Sequence, residues 1–279
     1  MADASPFSLS AADGRSLAAW IHEPADARGS VVILGAYATP ARYYRRFAEW
    51  LSEHGYRVLR FDYRGIGESQ AGPIQREQAT TTDWALLDAR AALDWLARQP
   101  GPKLGVGHSF GGQLIGILDQ MQILDRLYTM GSQLGWHGYY DGLARYRMWG
   151  MFKVVMPLAT RAFGYLPGWT GIGEDVPSPA MLEWLKWLSS PRYLLNFVPD
   201  AEARFKRYRT PTRVLGLTDD SLAPPRGVEA LWSCLDPEIA ELSIVKPQHF
   251  GMQKVDHFGF FRPHPGLTMW EDCLAWLEG

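Results

Sequence analysis

The 279-residue sequence has only two cysteines, a small net charge and no long hydrophobic run. Cys234 and Cys273 fall on apolar helical patterns without a C-x-x-C spacing or a nearby histidine cluster, so we predict buried free thiols rather than a disulfide or a zinc site. A formal charge of -2 gives no electrostatic argument for binding nucleic acid or an anionic membrane surface. No segment approaches roughly eighteen uninterrupted apolar residues, so we expect no membrane insertion.

Other sequence features are also missing. Residues 1–10 lack the basic stretch and apolar run of an export signal, and the chain has no internal repeat or low-complexity tract. We therefore expect a soluble, cytoplasmic protein. The hydrophobic content of 47% is enough for a large core, and the length favours one sizeable domain with an inserted lobe.

Strand-like and helix-like patterns alternate along most of the chain. Residues 7–10 and 17–21 flank Asp13-Gly14, a pair suited to a tight hairpin turn. Further strands are predicted at 31–35, 56–61, 104–106, 212–217 and 242–245, with apolar helical stripes between and after them. This alternation predicts an α/β fold whose mostly parallel sheet of about eight strands is covered by helices on both faces. Ligands bind such sheets beyond the carboxyl ends of the strands.

The alternation stops between residues 136 and 210. This segment is rich in tryptophan, tyrosine, leucine and methionine, and we interpret it as an inserted helical cap on a core formed by 1–135 and 211–279. Trp136 and Tyr140 are candidate substrate-binding residues, because they follow closely on a core strand and large hydrophobic side chains often line ligand pockets. Packing within the lobe is the alternative for each aromatic residue of the cap.

The most informative motif is G-H-S-F-G-G at residues 107–112. It follows the apolar run 104–106 and precedes an apolar helical pattern, which is the strand-turn-helix context of a nucleophile elbow. The flanking glycines leave room for a sharp turn that exposes the hydroxyl of Ser109. A glycine-rich turn whose serine only caps the helix is the alternative, and the context favours the elbow.

A serine hydroxyl is a weak nucleophile near neutral pH, so it needs a general base and a group that orients that base. His257 lies in the predicted loop between the last strand and the last helix. Asp219 and Asp220 end a predicted strand. The chain order serine, aspartate, histidine is that of α/β-hydrolases.

Four segments together resemble the α/β-hydrolase superfamily over nearly the whole chain: 62–69 (DYRGIGES), 107–112, 218–225 and 256–261. Within it, the sequence is similar to a bacterial group of predicted serine hydrolases. In that group a G-H-S-x-G-G elbow accompanies an aspartate before A-P-P and a late H-F-G-F-F.

The resemblance implies a role for particular residues. It places the acid four residues before a proline, which selects Asp220, with Asp219 as the neighbour that could serve instead. It favours His257 over His249 and His264, because Phe-Gly-Phe-Phe follows His257 as in the similar proteins. We assign His108 to structure, since a residue beside the nucleophile at a strand end points away from it.

The oxyanion of a tetrahedral intermediate needs two preorganised donors. The backbone N–H of Phe110 is the first candidate. The second should come from the loop after the strand 31–35, where relatives commonly carry His-Gly. This chain has Gly-Ala-Tyr-Ala-Thr at 35–39, which leaves Tyr37 and Ala38 as alternatives.

We expect no cofactor. The loop 65–70 lacks the third glycine of a dinucleotide fingerprint, no Walker A loop is present, and the seven histidines are too scattered for metal spacing. A basic run is interpreted as a solvated face; it comprises Arg204, Lys206, Arg207 and Arg209.

The sequence thus indicates a cofactor-independent serine hydrolase that cleaves a small-molecule carboxylic ester or thioester through an acyl-enzyme on Ser109. Moderately apolar acyl groups are favoured by the hydrophobic cap. An acyltransferase or small-amide hydrolase using the same three residues is the nearest alternative. A ligand-binding protein or lyase on the same fold is more distant. The pattern does not separate a monomer from a homodimer.

Overall fold

The computed structural model describes residues 4–262 and 267–279, so that His264 lies outside the described residues. The described strands are β1 (Ser5–Ser10), β2 (Ser16–His22), β3 (Gly29–Leu34), β4 (Tyr56–Phe61), β5 (Lys103–His108), β6 (Arg126–Met130), β7 (Tyr165–Leu166), β8 (Val176–Pro177), β9 (Thr212–Leu217) and β10 (Ala240–Val245).

Eight of these strands form the central sheet, in the order β1-β2-β4-β3-β5-β6-β9-β10. The β1–β2 and β2–β4 pairs are antiparallel and all other pairs are parallel, for example Val31 of β3 opposite Leu104 of β5. The predicted mostly parallel, eight-stranded α/β sheet is therefore confirmed. Strand β6 was not among the predicted strands, and β7 pairs only with β8 in a separate two-stranded ribbon.

The helices are α1 (Arg45–Glu53), α2 (Thr81–Asp83), α3 (Arg90–Ala97), α4 (Phe110–Gln113), α5 (Gly142–Gly150), α6 (Met156–Phe163), α7 (Ser178–Leu188), α8 (Ala201–Arg207), α9 (Pro225–Trp232) and α10 (Leu267–Glu278). The π-helical turns Trp84–Ala89 and Met151–Val155 join α2 to α3 and α5 to α6. No helix of the described residues is both long and apolar enough to cross a membrane.

Each face of the sheet has its own hydrophobic core. Helices α1 and α10 cover one face, where Phe47 and Trp270 pack over Val31 and its neighbours. Helices α3, α4 and α9 cover the other face together with most of the segment 136–210. This two-sided burial explains why the central strands read as continuous apolar runs.

The long helix after β4 begins earlier than the sequence suggested. Its N-cap is Thr80, whose hydroxyl accepts a hydrogen bond from the Asp83 amide, while the Asp83 carboxylate accepts one from the Thr80 amide. This reciprocal capping box satisfies two backbone donors that have no intrahelical partner. The apolar stripe that begins at Trp84 predicts a helix start marked by Thr82 or Asp83, and the observed N-cap lies two or three residues earlier.

The two cysteines are both free but differ in burial. Cys273 lies on the inner face of α10 and is buried, and burial raises the pKa of its thiol well above the usual value. Cys234 is only half-buried, because α9 ends at Trp232 and Cys234 lies in the turn beyond it. The expectation of two buried thiols holds only for Cys273.

The segment 136–210 leaves the sheet after β6 and returns at β9. Its helix α7 is attached to the start of the long helix by hydrogen bonds from Thr81 to the Ala180 carbonyl and from Thr82 to Glu183. Its last helix, α8, buries Phe205 against the turn that follows α4. The segment therefore covers the carboxyl ends of the central strands and shares the core on that face.

Candidate active site

Ser109 lies immediately after β5, at the carboxyl edge of the sheet. Its backbone has φ 51° and ψ −107°, a conformation that non-glycine residues rarely adopt. The amide of Ser109 donates to the carbonyl of Met130 in β6, at 2.8 Å, which fixes the strained turn to the sheet. The motif at 107–112 thus forms the strand-turn-helix arrangement that its context predicts.

Two glycines make this turn possible. A Cβ at Gly107 would lie 2.9 Å from the amide nitrogen of Gly112, closer than side chains normally approach. A Cβ at Gly111 would overlap the carbonyl oxygen of Leu34 at the end of β3. The elbow therefore packs directly against the loop that follows β3.

The structure brings His257 and Asp220 together. The Nδ1 atom of His257 lies 2.8 Å from Oδ2 and 3.1 Å from Oδ1 of Asp220, and both side chains are buried. Oδ1 of Asp220 also accepts hydrogen bonds from the amides of Leu222 and Ala223, at 2.9 Å and 2.6 Å. The other ring nitrogen of His257, Nε2, is not used by this pair, and His257 and Ser109 line the same cavity.

Asp219 lies apart from the ring of His257. Its Oδ2 accepts hydrogen bonds from the amides of Val255 and Asp256, at 2.8 Å and 3.0 Å. Of the two neighbouring aspartates that the sequence left open, only Asp220 contacts His257. Asp219 instead connects the turn after β9 to the loop that carries His257.

Asp256 adds a second connection between these two loops. Its carboxylate accepts hydrogen bonds from the amide and hydroxyl of Ser221 and from the amide of His257. Burial alone would raise the pKa of Asp256, but these hydrogen bonds outweigh burial and lower it to about 2. The sequence pattern did not predict this role for Asp256; its only signal there is a carboxylate directly before the candidate histidine.

His108 is fully buried, as its structural assignment requires, and it also contacts the loop of His257. Its Nε2 lies 3.0 Å from the carbonyl oxygen of His257, and its Nδ1 lies 2.9 Å from the hydroxyl of Tyr44. That hydroxyl accepts a hydrogen bond from the amide of Ala36, at 2.7 Å. Burial lowers the pKa of His108 well below its usual value, so the ring is neutral and can donate from Nε2 to the carbonyl.

The loop after β3 lies beside the elbow. Ala36 and Tyr37 line the cavity that contains Ser109, whereas Ala38 lines a separate surface groove. The ring of Tyr37 stacks on Trp184 with centroids 4.2 Å apart, and its hydroxyl lies 3.2 Å from that of Thr81. These contacts hold the side chain of Tyr37 in the cavity wall, which favours Tyr37 over Ala38 as the second candidate donor.

A narrow cavity opens at Ser109 and His257. Large apolar side chains form most of its wall. They are Tyr140, Met148, Phe152, Ile172, Trp184, Leu188, Leu222 and Phe258.

A larger groove lies directly beside the cavity, and we call it the mouth. The two spaces share residues such as Met148, Leu222 and Phe258. Three cationic side chains, Arg147, Lys254 and Arg262, line the mouth and are absent from the inner wall. Lys254 pairs with Asp256 at 3.4 Å.

Of the two aromatic residues predicted to bind substrate, only Tyr140 lines the cavity. Its hydroxyl donates to the carbonyl of Leu222, at 2.6 Å. The prediction that Trp136 binds substrate was wrong. Its ring turns back over Gly138 and packs edge-on against Tyr139. Its neighbour Gly135 lines the cavity instead.

Other candidate groups lie outside this site. His249 is exposed in a short turn after β10 and contacts Phe250. In the basic run, Arg204 and Arg207 pair with Asp119 and Lys206 pairs with Glu202, which agrees with a solvated face. Within 4–262 and 267–279, no three histidine, cysteine or acidic side chains are grouped to hold a metal ion.

Comparison with known proteins agrees with this architecture. The sequence profile of the alpha/beta hydrolase family matches residues 29–266. No curated protein matches the sequence.

Solved structures resemble the chain over nearly its whole length. The alpha/beta hydrolase GrgF from Penicillium sp. sh18 has 18% identity and a TM-score of 0.66, covering 99% of this chain and 98% of its own. The esterase domain of a Rhodothermus marinus protein has 17% identity and a TM-score of 0.59, covering 98% and 97%. A monoacylglycerol lipase from Paleococcus ferrophilus has 16% identity and a TM-score of 0.63, covering 94% and 98%. At these identities the likeness concerns the fold.

Proposed function

The chain belongs to the alpha/beta hydrolase family, and from this premise we propose that it is a serine hydrolase. In this proposal Ser109 is the nucleophile, His257 the general base and Asp220 the acid that orients the base. The substrate is a carboxylic ester or thioester. No bound cofactor takes part in the proposed steps.

One observation carries the proposal. Ser109 has a strained backbone at the carboxyl edge of the sheet, and it lines the same cavity as a histidine whose Nδ1 is held by a buried aspartate. A strained residue is retained only where the surrounding structure enforces it, and such residues cluster at functional sites. A turn that only capped a helix would need neither the strain nor the paired histidine.

The first half of the reaction forms an acyl-enzyme. The Ser109 hydroxyl oxygen attacks the substrate carbonyl carbon while its proton passes to Nε2 of His257. The Asp220 carboxylate accepts a hydrogen bond from Nδ1–H and stabilises the imidazolium. The amides of Phe110 and Tyr37 donate to the oxyanion. Collapse of this intermediate breaks the bond to the alcohol or thiol, which leaves with the proton from His257.

The second half releases the acid. Water attacks the acyl carbon, gives a proton to His257 and forms a second tetrahedral intermediate, again stabilised by the two amides. This intermediate expels Ser109, which regains its proton. The products are one carboxylic acid and one alcohol or thiol, and the enzyme returns to its starting state.

The cavity wall supports a moderately apolar acyl group as substrate. Burying apolar substrate surface against such a wall contributes about 25 cal/mol per Å². Met148, Phe152, Trp184 and Leu188 come from the segment 136–210, so we propose that this segment is a cap on a core of 1–135 and 211–279.

The direct test is turnover of p-nitrophenyl esters and acyl thioesters of increasing chain length. We expect hydrolysis of short to medium acyl groups, and Ser109→Ala should lower kcat by several orders of magnitude without unfolding the protein. Undiminished turnover by folded Ser109→Ala would overturn the proposal.

Product analysis separates hydrolysis from acyl transfer. With an added alcohol or amine, a hydrolase releases mainly the free acid, whereas an acyltransferase forms mainly the new ester or amide. The same three residues would serve either reaction, because the fate of the acyl-enzyme depends on which acceptor enters.

A further inference from the structure

One region of the surface is unusually hydrophobic. Eight of the thirteen large hydrophobic side chains that are exposed in the described residues lie between 143 and 169. We call this group the docking face. Its members are Leu143, Tyr146, Trp149, Val154, Val155, Leu158, Phe163 and Trp169.

The exposure of these side chains is large. Leu143 is 87% exposed, Trp169 and Tyr146 are each 72% exposed, and Leu158 is 61% exposed. Single exposed hydrophobic residues are normal on a soluble domain, but a cluster of this kind marks a binding surface. Tryptophan and tyrosine beside leucine and valine are also the residue types that settle at a lipid-water interface.

The same segment is cationic. Between residues 142 and 163 the sequence contains four basic residues and no acidic one. The four are Arg145, Arg147, Lys153 and Arg161, all of them exposed, and none forms an ion pair with a described acidic side chain. The net charge of the whole chain is small because acidic residues elsewhere balance this basic segment. The net charge alone therefore gave no electrostatic argument for a membrane surface.

The docking face lies beside the candidate active site. The helical segment that presents it also lines the inner cavity through Met148 and Phe152, and it lines the mouth through Arg147 and Met151. Lys254 and Arg262 extend the positive charge around the mouth. A partner on the docking face would therefore lie next to the opening of the cavity.

The positive charge of the docking face distinguishes between two candidate partners, a second copy of the chain and a lipid surface. A symmetric dimer joins the same patch of two subunits, so four unpaired cations on each copy would face their counterparts. An anionic lipid surface would accept the hydrophobic side chains and neutralise the cations together. We propose that the docking face binds the surface of an anionic lipid bilayer and turns the mouth of the cavity toward it.

Vesicle sedimentation tests this proposal. The Ser109→Ala protein is mixed with vesicles of phosphatidylcholine alone or of phosphatidylcholine with phosphatidylglycerol. We expect sedimentation with the anionic vesicles only, weakened by salt. Because Ser109→Ala does not hydrolyse lipid, the result is independent of the proposed function. Failure to sediment with the anionic vesicles would overturn the proposal.

Two double variants measure the two contributions, and neither touches the cavity wall. Each cation near an anionic leaflet strengthens partitioning roughly fivefold, so Arg145→Gln with Lys153→Gln should weaken binding about 30-fold. Leu143→Ser with Leu158→Ser should weaken it at least about tenfold by removing apolar area. Wild-type Ser109 carrying either pair should hydrolyse a soluble short-chain ester at the wild-type rate.

Matched controls lie elsewhere on the surface. Arg98→Gln with Arg209→Gln removes two exposed cations near the opposite end of the sheet, and Leu86→Ser with Leu242→Ser removes two exposed leucines. These variants should bind vesicles like the parent. Equal loss in control and docking-face variants would contradict the proposal. A dimer in sedimentation velocity that becomes a monomer in the Leu143→Ser with Leu158→Ser variant would also contradict the proposal.

Discussion

Asp219 and Asp220 are adjacent and chemically identical, so the same substitution at both positions tests the proposed acid. In Asp220→Asn, the amide oxygen should stay with the Leu222 and Ala223 amides, because these buried donors need an acceptor. The amide NH2 then faces Nδ1 of His257, which has to accept rather than donate. The proton of the neutral ring moves to Nε2, the atom that should receive the proton of Ser109.

The expected size of the effect follows from this change of tautomer. A histidine with a proton on Nε2 cannot act as a base toward the serine, and the equivalent loss in serine proteases is about 10⁴ in kcat. In Asp219→Asn, one oxygen can still accept from the amides of Val255 and Asp256. The other oxygen of Asp219 is buried without a partner, so an NH2 there costs stability, about 1–3 kcal/mol, rather than chemistry.

The assay is kcat for a p-nitrophenyl ester, with thermal unfolding measured on the same samples. We expect Asp220→Asn to lose about 10³–10⁴ in kcat and Asp219→Asn to lose less than about tenfold. Similar losses for the two folded variants, or a larger loss for Asp219→Asn, would refute the assignment of Asp220.

Three further predictions concern stability. Burial and the neighbouring Arg60 lower the pKa of His22 from 6.5 to about 4, so the unfolded chain binds the proton more readily than the folded protein. The free energy of unfolding should therefore fall as the pH drops from about 6.5 toward 4. Denaturant titrations should show a loss of about 1–2 kcal/mol between pH 7 and pH 5, and His22→Gln should largely remove this loss. His108→Leu leaves the His257 carbonyl without its donor and should cost about 1–3 kcal/mol, with lower kcat, whereas His108→Gln should recover part of both. Gly111→Ala forces a methyl group onto the Leu34 carbonyl and should cost about 1–3 kcal/mol or more, while Gly150→Ala, with open space around it, should be neutral or stabilising in the same melts.

The features that the sequence predicted well depend on local order. The elbow at Ser109 needs a strand, two close glycines and a helix, and all of them lie within a few residues. The parallel sheet follows from alternating strands and helices in the same way. His257 and Asp220 could be nominated because each lies directly after or between such elements.

The features that the sequence did not reveal depend on where the chain turns in space. Trp136 was expected to face the site, but its ring packs over the short turn His137–Tyr139, and Gly135 lines the cavity instead. Asp256 acts through a contact with Ser221, which is distant in the sequence. Exposed aromatic residues such as Trp169 look the same in sequence as the buried Trp187, so the docking face emerged only from the structure.

The most direct test of the proposed nucleophile is intact mass spectrometry after incubation with a fluorophosphonate. We predict a single adduct on the wild-type chain, mapped to Ser109, with none on Ser109→Ala and strongly slowed labelling of His257→Ala. Absence of an adduct on the folded wild-type chain, or an equal adduct on Ser109→Ala, would contradict the account.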